Sequence, residues 1–165
     1  MEVRRAVPAD ALPVAEVHVR AWRVAYAELL PPPELEKLDP RERATRYDFS
    51  AGAAQATFVA AEADAVLGFA TCGARDGESG AGEGELRALY IDPPHWRTGL
   101  GRVLLRYAED HMRGLGFQHA VLWVLLGNAA AERFYLAHGW RADDERRHER
   151  FWGVPVEVAR YSREL

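Results

Sequence analysis

The residue order predicts an α/β fold, a mixed, twisted sheet of about six or seven strands flanked by about four helices. Three observations carry that expectation. Apolar residues recur at helical spacing from Leu12 to Tyr26 and again from Leu100 to His111, whereas Thr57–Ala61, Val66–Thr71 and Glu85–Ile91 read as strands. Ala120–Leu126 is a nearly all-apolar run of strand length, the pattern of a strand covered on both faces. The chain has 165 residues, no internal repeat and no long linker, so 1–165 reads as one domain.

In chain order, Glu2–Arg5 forms a first strand that ends at Val7-Pro8. Asp10 stands where a helix cap is wanted, and Pro13 falls in the first turn, where a missing N–H costs nothing. Val14, Val17, Ala21 and Val24 make one apolar stripe, and Leu12, Ala15, Val19, Trp22 and Tyr26 make a second, so two faces are covered. Pro31-Pro32-Pro33 stops this helix, and a second is expected within Glu34–Phe49, interrupted near Asp39-Pro40. Ala63-Asp64 marks the turn between the next two strands, and Arg75–Gly84, with Gly77, Gly80, Gly82 and Gly84, reads as a mobile hairpin loop. Asp92-Pro93-Pro94 ends the strand Glu85–Ile91. Leu100, Val103, Leu104, Tyr107, Ala108 and His111 then share one helical face, and Gly114 and Gly116 end that helix. Asn128 opens a helix through about Ala137, closed by His138-Gly139-Trp140. A terminal strand pair near Trp140–Ala142 and Val154–Tyr161 completes the pattern.

Composition narrows the function classes. Hydrophobic residues make up 48% and charged residues 28%, the mix of a soluble globular protein, and the net charge of −4 argues against non-specific nucleic-acid binding. Cys72 is the one cysteine, which excludes an intrachain disulfide and a Cys-based zinc site; in its strand pattern it reads as a small buried hydrophobe. His18, His95, His111, His119, His138 and His148 show no metal-binding spacing, so no metal is expected. No run approaches the roughly 20 apolar residues of a membrane span, and Met1–Arg5 lacks a signal-peptide hydrophobic region. The expectation is a cytoplasmic protein without membrane or nucleic-acid partners.

The stretch from Leu89 to Arg102 runs strand, loop, helix start, and it carries the chemistry. The first turn of a helix has N–H groups without intrahelical partners, and the helix dipole adds positive potential there. Gly99 and Gly101 remove side chains that would keep an anion from those donors, and Arg97 and Arg102 add positive charge. The inference is a phosphate-sized anion site, although a Gly-x-Gly at a helix start also serves tight packing. A P-loop is excluded because no Lys-Ser or Lys-Thr exists, and Leu104 stands where a dinucleotide fingerprint needs its third small residue.

Trp96-Arg97-Thr98-Gly99-Leu100-Gly101 resembles the Gln/Arg-x-x-Gly-x-Gly/Ala signature of the GNAT superfamily of acyl-CoA-dependent N-acyltransferases, with Trp96 departing from it at the Gln/Arg position. The resemblance covers most of the chain and is strongest from Glu85 to Trp140. It implies a GNAT-like fold in which the N–H groups of Arg97, Thr98, Gly99, Leu100, Gly101 and Arg102 hold the CoA pyrophosphate. Leu89, Tyr90 and Ile91 would pair with the pantetheine arm as with a neighbouring strand. Asn128 to Trp140 is similar to the family's Asn-x-x-Ala-x-x-Phe/Leu-Tyr-x-x-x-Gly-Phe/Trp element, which gives Asn128 a CoA contact and Tyr135 the protonation of the leaving thiolate. The plainer alternative makes Asn128 a helix cap and Tyr135 a core aromatic.

By the same resemblance, Glu85 occupies the position of the general base in some members. Strand alternation puts Glu85, Arg87, Leu89 and Ile91 on one face, and Arg87 is equally placed to pair Glu85 structurally. Other members carry the base five residues before the motif Asn, where this chain has Trp123. Trp22, Tyr26 and Glu28 fall in the region that builds the acceptor pocket in the family, or else belong to the core. The implied function is transfer of an acetyl group from acetyl-CoA, as co-substrate and without metal, to a primary amine of a small molecule or peptide. A backbone N–H near Leu89 would stabilise the oxyanion. The alternative is a non-catalytic acyl-CoA-binding module acting through a partner, and a longer acyl chain is a third reading. A homodimer through the C-terminal strands is compatible with the resemblance.

Overall fold

The computed structural model describes residues 1–50, 55–63, 65–76 and 82–165. Seven strands form one mixed sheet: β1 (Glu2–Arg5), β2 (Gln55–Glu62), β3 (Ala65–Ala74), β4 (Glu83–Ile91), β5 (His119–Leu125), β6 (Arg141–Phe151) and β7 (Val154–Glu164), in the order β1-β2-β3-β4-β5-β7-β6. All neighbours are antiparallel except β4 and β5. A parallel pair needs a crossover, and α4 (Leu100–Gly114) supplies it. The other helices are α1 (Ala11–Ala25), α2 (Pro32–Glu36), α3 (Pro40–Ala44) and α5 (Ala129–Ala137).

Each sheet face is covered. On one, Leu104, Leu105, Ala108 and Met112 of α4 pack on Leu86, Leu122 and Ala70. On the other, Val14 and Val17 of α1 pack on Val59 and Phe69. At the far end of α4 the buried Glu109 carboxylate accepts from the Trp140 indole at 3.0 Å and from Arg163 at 2.9 Å, tying α4 to β7 and the α5–β6 turn. Among the described residues, no helix is long and apolar enough to cross a membrane and no cluster of His, Cys, Asp and Glu is placed to hold a metal.

Several expectations change in detail. Asp10 precedes α1 but does not cap it. Its backbone is already helical (φ −80°, ψ −8°), and its carboxylate instead accepts from Val7 N at 2.8 Å and from Arg4 at 2.7 and 2.9 Å, fastening β1 to the helix start. α1 ends at Ala25, before the proline run expected to stop it: Leu29 N and Leu30 N turn back to Tyr26 O, and the prolines instead begin α2, with proline in its first turn. The interrupted second helix is two separate five-residue helices, and the Asp39 side chain caps α3 through Arg41 N. β6 continues to Phe151 instead of ending near Ala142. It is the edge strand and largely exposed, so its charged residues carry no apolar alternation; they also protect the open edge from stray pairing. Asp64 and Gly77–Gly80, in the expected turn and loop, lie outside the described residues. An Arg75–Glu83 ion pair at 2.6 Å closes the base of that loop.

The feature that positions the site is where β4 and β5 part. They pair only over Glu83–Leu86 and His119–Leu122, and then run on unpaired to Ile91 and Leu125. The result is a V-shaped cleft in the middle of the sheet, with β3 behind one arm and β7 behind the other.

Candidate active site

The β4 arm of the cleft presents free backbone groups. Asp92 N donates to Leu67 O at 2.8 Å, and antiparallel pairs alternate between bonded and unbonded, so Tyr90 and Ala88 also turn their amides toward β3. Leu89 and Ile91 therefore turn theirs into the cleft. The Ile91 carbonyl is taken by the Trp96 indole N–H at 2.7 Å, which gives the departure at Trp96 a local role: it fastens the loop after β4 to the strand end. Leu89 N–H and C=O and Ile91 N–H remain along the edge.

The loop from Trp96 winds through two left-handed residues, Arg97 (φ 64°) and Gly99 (φ 87°), before α4 begins. A Cβ at Gly99 would meet open space, so glycine is required there by its backbone angle and not by crowding. Val103 N makes the first intrahelical bond, to Gly99 O at 3.2 Å, which leaves the N–H groups of Leu100, Gly101 and Arg102 without helix partners. Gly101 differs from the expectation. A Cβ there would make ordinary contact with the Phe134 ring at 3.4 Å and Ile91 at 3.7 Å, so Gly101 packs against α5 and the end of β4 where Gly99 faces open space. Arg97 and Arg102 are exposed, without ion-pair partners among the described residues, and Thr98 Oγ1 donates back to His95 O at 2.7 Å.

α5 supplies the far wall. Asn128 does cap it, accepting from Ala131 N at 3.2 Å. Tyr135 is buried among Phe134, Trp140 and Tyr161, yet its hydroxyl donates to no described residue. Burial, reinforced by the neighbouring Tyr90, pushes its phenol well above the ordinary range. Tyr26 and Tyr90 meet hydroxyl to hydroxyl at 3.4 Å, and both are raised chiefly by burial. Three neutral phenols from α1, β4 and α5 thus converge where the strands separate.

Glu85 stands at the floor of the V and is buried; Arg87 pairs with it at 3.4 Å while also holding Asp76 at 2.9 Å and the Ala74 carbonyl at 2.9 Å. The expected shared face of Glu85, Arg87, Leu89 and Ile91 is overturned. The β3–β4 register shifts between Thr71 and Cys72, a bulge that spends one extra β4 residue at Arg87. A Cβ on Gly84 would touch Met112, and Leu86, Leu89 and Ile91 all pack on the α4 side, whereas Ala88 and Tyr90 pack on the α1 side. Glu85, between Gly84 and Leu86, therefore shares the α1 side with Tyr90.

On that side α1, α3 and the β6–β7 turn build an aromatic enclosure. His18 stacks on Tyr90 with 4.4 Å between centroids, and its Nδ1 is 2.6 Å from the Tyr47 hydroxyl. Trp22 stacks on Trp152 at 4.4 Å and meets Tyr26 edge-on at 4.9 Å. Arg43 lies over both the Tyr47 and Trp152 rings, at 5.3 and 4.9 Å. A cavity of about 490 Å³ opens beside it, lined by Leu38, Arg43, Trp152 and charged residues of α2 and α3. A cavity of about 520 Å³ on the outer side of α4, around Glu109 and Arg163, touches none of the cleft tyrosines.

The acetyltransferase (GNAT) family model matches residues 20–140. The chain belongs to the GNAT family of acetyltransferases. It is 33% identical over 137 residues to the Uncharacterized N-acetyltransferase YuaI of Bacillus subtilis (strain 168), covering 82% of this chain and 78% of that protein. Solved structures share the fold. The PaiA N-acetyltransferase of Thermoplasma acidophilum in complex with coenzyme A superposes with a TM-score of 0.75 at 20% identity, covering 99% of this chain and 98% of that one. The yncA structure from Salmonella typhimurium with acetyl-CoA gives 0.73 at 22% identity, covering 99% and 93%.

The acetyltransferase chemistry implied by the motifs uses acetyl-CoA as the donor, and the open β4 edge beside the bare amides of α4 is the surface such a donor needs. Sequence reasoning brought Tyr135, Asn128, Glu85, Leu89–Ile91 and Arg97–Arg102 into one site, and singled out Trp22, Tyr26 and Glu28 for the acceptor pocket. It did not single out Arg43, Tyr47 or Trp152, and of His18 it said only that the histidines lack metal-binding spacing. Their one sequence signal is aromatic density near the end of the first helix and near the last hairpin. Trp123, at the alternative base position, lies beneath the Arg147 guanidinium at 3.8 Å.

Proposed function

We propose that this acetyltransferase passes the acetyl group directly from acetyl-CoA to a primary amine of a small molecule or peptide at the point where β4 and β5 part. The observation that carries the reading is the free β4 edge at Leu89 and Ile91, set between the bare amides of α4 and the Tyr135 hydroxyl. The amides of Arg97 to Arg102 bind the pyrophosphate, where the helix dipole and two unpaired arginines favour negative charge. Leu89 and Ile91 pair with the pantetheine amides, with Tyr90 behind them, and Asn128 closes the other wall.

The amine nitrogen attacks the thioester carbonyl carbon, and the Leu89 N–H, fixed in the cleft, donates to the oxygen as it becomes an oxyanion. When the tetrahedral adduct collapses, the carbon–sulfur bond breaks and Tyr135 gives its proton to the sulfur. Burial keeps Tyr135 protonated until that moment, so the acid is always loaded at neutral pH. Glu85, on the same side of the sheet as Tyr90, takes the amine's proton through water. The Arg87 pair orients that carboxylate.

The test is thiol release from acetyl-CoA with an amine panel. Turnover by the wild type, with CoA affinity retained and kcat reduced in Tyr135→Phe, supports the reading. Undiminished kcat in that variant removes the acid role.

A further inference from the structure

The enclosure on the acceptor side holds polar groups that no described residue satisfies with a well-formed hydrogen bond. Buried polar atoms nearly always have partners, so each exception asks for a cause. Among the described residues, buried His18 Nε2, Trp22 Nε1 and Arg43 Nε have no hydrogen bond of good geometry. The Trp22 indole and the Arg43 guanidinium lie close enough to the Tyr90 and Tyr47 hydroxyls to offset part of their burial, without closing a well-formed bond. All three side chains gather round one indole, that of Trp152, at 5.0, 4.4 and 4.9 Å. All three groups are donors. Trp22 and Arg43 have no other choice, and His18 is a donor at Nε2 in the tautomer whose Nδ1 accepts from the Tyr47 hydroxyl.

The charge around them is unbalanced in the same sense. Arg43 has no carboxylate partner among the described residues, although three acids line the adjoining cavity. Each of those is already engaged: Glu34 with Lys37 at 3.1 Å, Glu42 with Arg46 at 3.9 Å, and Asp39 with the Arg41 amide at 2.8 Å. Arg43 thus lies over two aromatic rings with no counter-charge among the described residues, and a planar guanidinium suits a planar anion.

Trp152 covers these donors from an unfavourable backbone position. With Gly153 it forms the two-residue β6–β7 turn, and both residues are left-handed, at φ 47° and 83°. Such turns favour Asn or Gly at the first position, and a bulky side chain there carries strain, a mark of a functional constraint. The turn places a large indole over the donors where a small polar residue would close the hairpin with less strain.

From this geometry we propose that the acceptor is an amine that also bears a carboxylate, which binds Arg43 and the donors of His18 and Trp22 as the Trp152 indole yields its place over them. The proposal rests on the acetyl-transfer reading of the cleft and adds the substrate class. The acceptor amine then lies toward Tyr90 and Glu85, and its carboxylate toward α3.

The experiment compares glycine, β-alanine, 4-aminobutyrate, 6-aminohexanoate and the common α-amino acids with their carboxamides, by thiol release from acetyl-CoA. The expected result is a kcat/KM for the best acid about tenfold or more above its amide. Arg43→Gln erases that preference by raising the KM of the acid and not that of its amide, and Arg43→Lys restores part of it. Equal use of acids and amides by the wild type overturns the proposal, with no variant needed. So does an Arg43→Gln protein that slows both series alike, or the absence of thiol release with every acid. A calorimetric titration with acetyl-CoA separates the two readings: failure to bind it overturns the cleft assignment itself, whereas binding without acid preference overturns the acceptor class alone.

Discussion

The two walls of the cleft are built in opposite ways. The donor wall comes from one continuous stretch, the end of β4, a tight loop and the first turn of α4, and its working groups are mostly backbone amides. The acceptor wall brings together His18 and Trp22 from α1, Arg43 from α3, Tyr47 and Trp152, and its working groups are side chains. Backbone donors at a helix start follow from local geometry and serve any chain that forms the turn. A side-chain enclosure depends on packing between distant segments, so it is free to differ while the donor wall stays the same. One fold can thereby keep one acyl donor and vary the acceptor.

The largest effect that would break this contrast is at Tyr135, which belongs to the α5 wall but, in the proposed reaction, acts on the donor's sulfur. Tyr135→Phe is expected to lower kcat by about a hundredfold without weakening CoA binding, as measured by thiol release and calorimetry. An equal loss in both would make the residue a packing element of the donor wall.

The next prediction uses pH. Burial first, and then the charge of Arg43, hold the His18 imidazole well below its usual range. Between that lowered value and about 6.5 the unfolded chain binds a proton that the folded chain refuses, so stability falls as pH drops through that window. The slope reaches at most about 1.4 kcal/mol per pH unit. Denaturant melts from pH 7 to 5 should show this slope in the wild type and lose it in His18→Gln. A slope unchanged by that substitution would place the titrating group elsewhere.

Gly99 tests the donor wall by backbone alone. Its added Cβ has space, so Gly99→Ala carries only the left-handed strain, about 1–2 kcal/mol of stability. CoA affinity should fall as the turn relaxes, while the ratio of rates between two acceptors stays constant. A changed acceptor ratio would show that the walls are coupled.

The smallest effect lies away from both. Arg4 first, and the Val7 amide as well, hold the Asp10 carboxylate below its usual range against the opposing effect of burial. Its stabilisation is therefore present above about pH 4 and lost as pH falls through the lowered value, with a size under about 1 kcal/mol because Arg4 is part-exposed. Asp10→Asn should flatten only that acid limb and leave the window assigned to His18 unchanged.

How much was legible in the sequence follows the same division. The Gly99 turn, the helix beginning at Leu100, the buried strand of His119–Leu125 and the cap at Asn128 are local consequences of residue type and spacing, and each stands where expected. The bulge at Arg87 was not legible, because an extra residue in a strand shows only against its partner's register; it moved Glu85 to the face opposite Leu89 and Ile91. The length of β6 was hidden because an exposed edge strand has no apolar face to write its period.

What the sequence determined by itself was the order of elements, the glycine-bearing turn that opens α4 and the residue types able to move protons. Those depend on hydrogen bonds and periodicities that reach only a few residues along the chain. The tertiary structure alone decided that β4 and β5 separate after Leu86 and Leu122, that three tyrosines meet in the opening, and that Arg43 lies against Trp152 with no counter-charge among the described residues. Contacts between segments a hundred residues apart are set by how the core packs, and no local pattern encodes them.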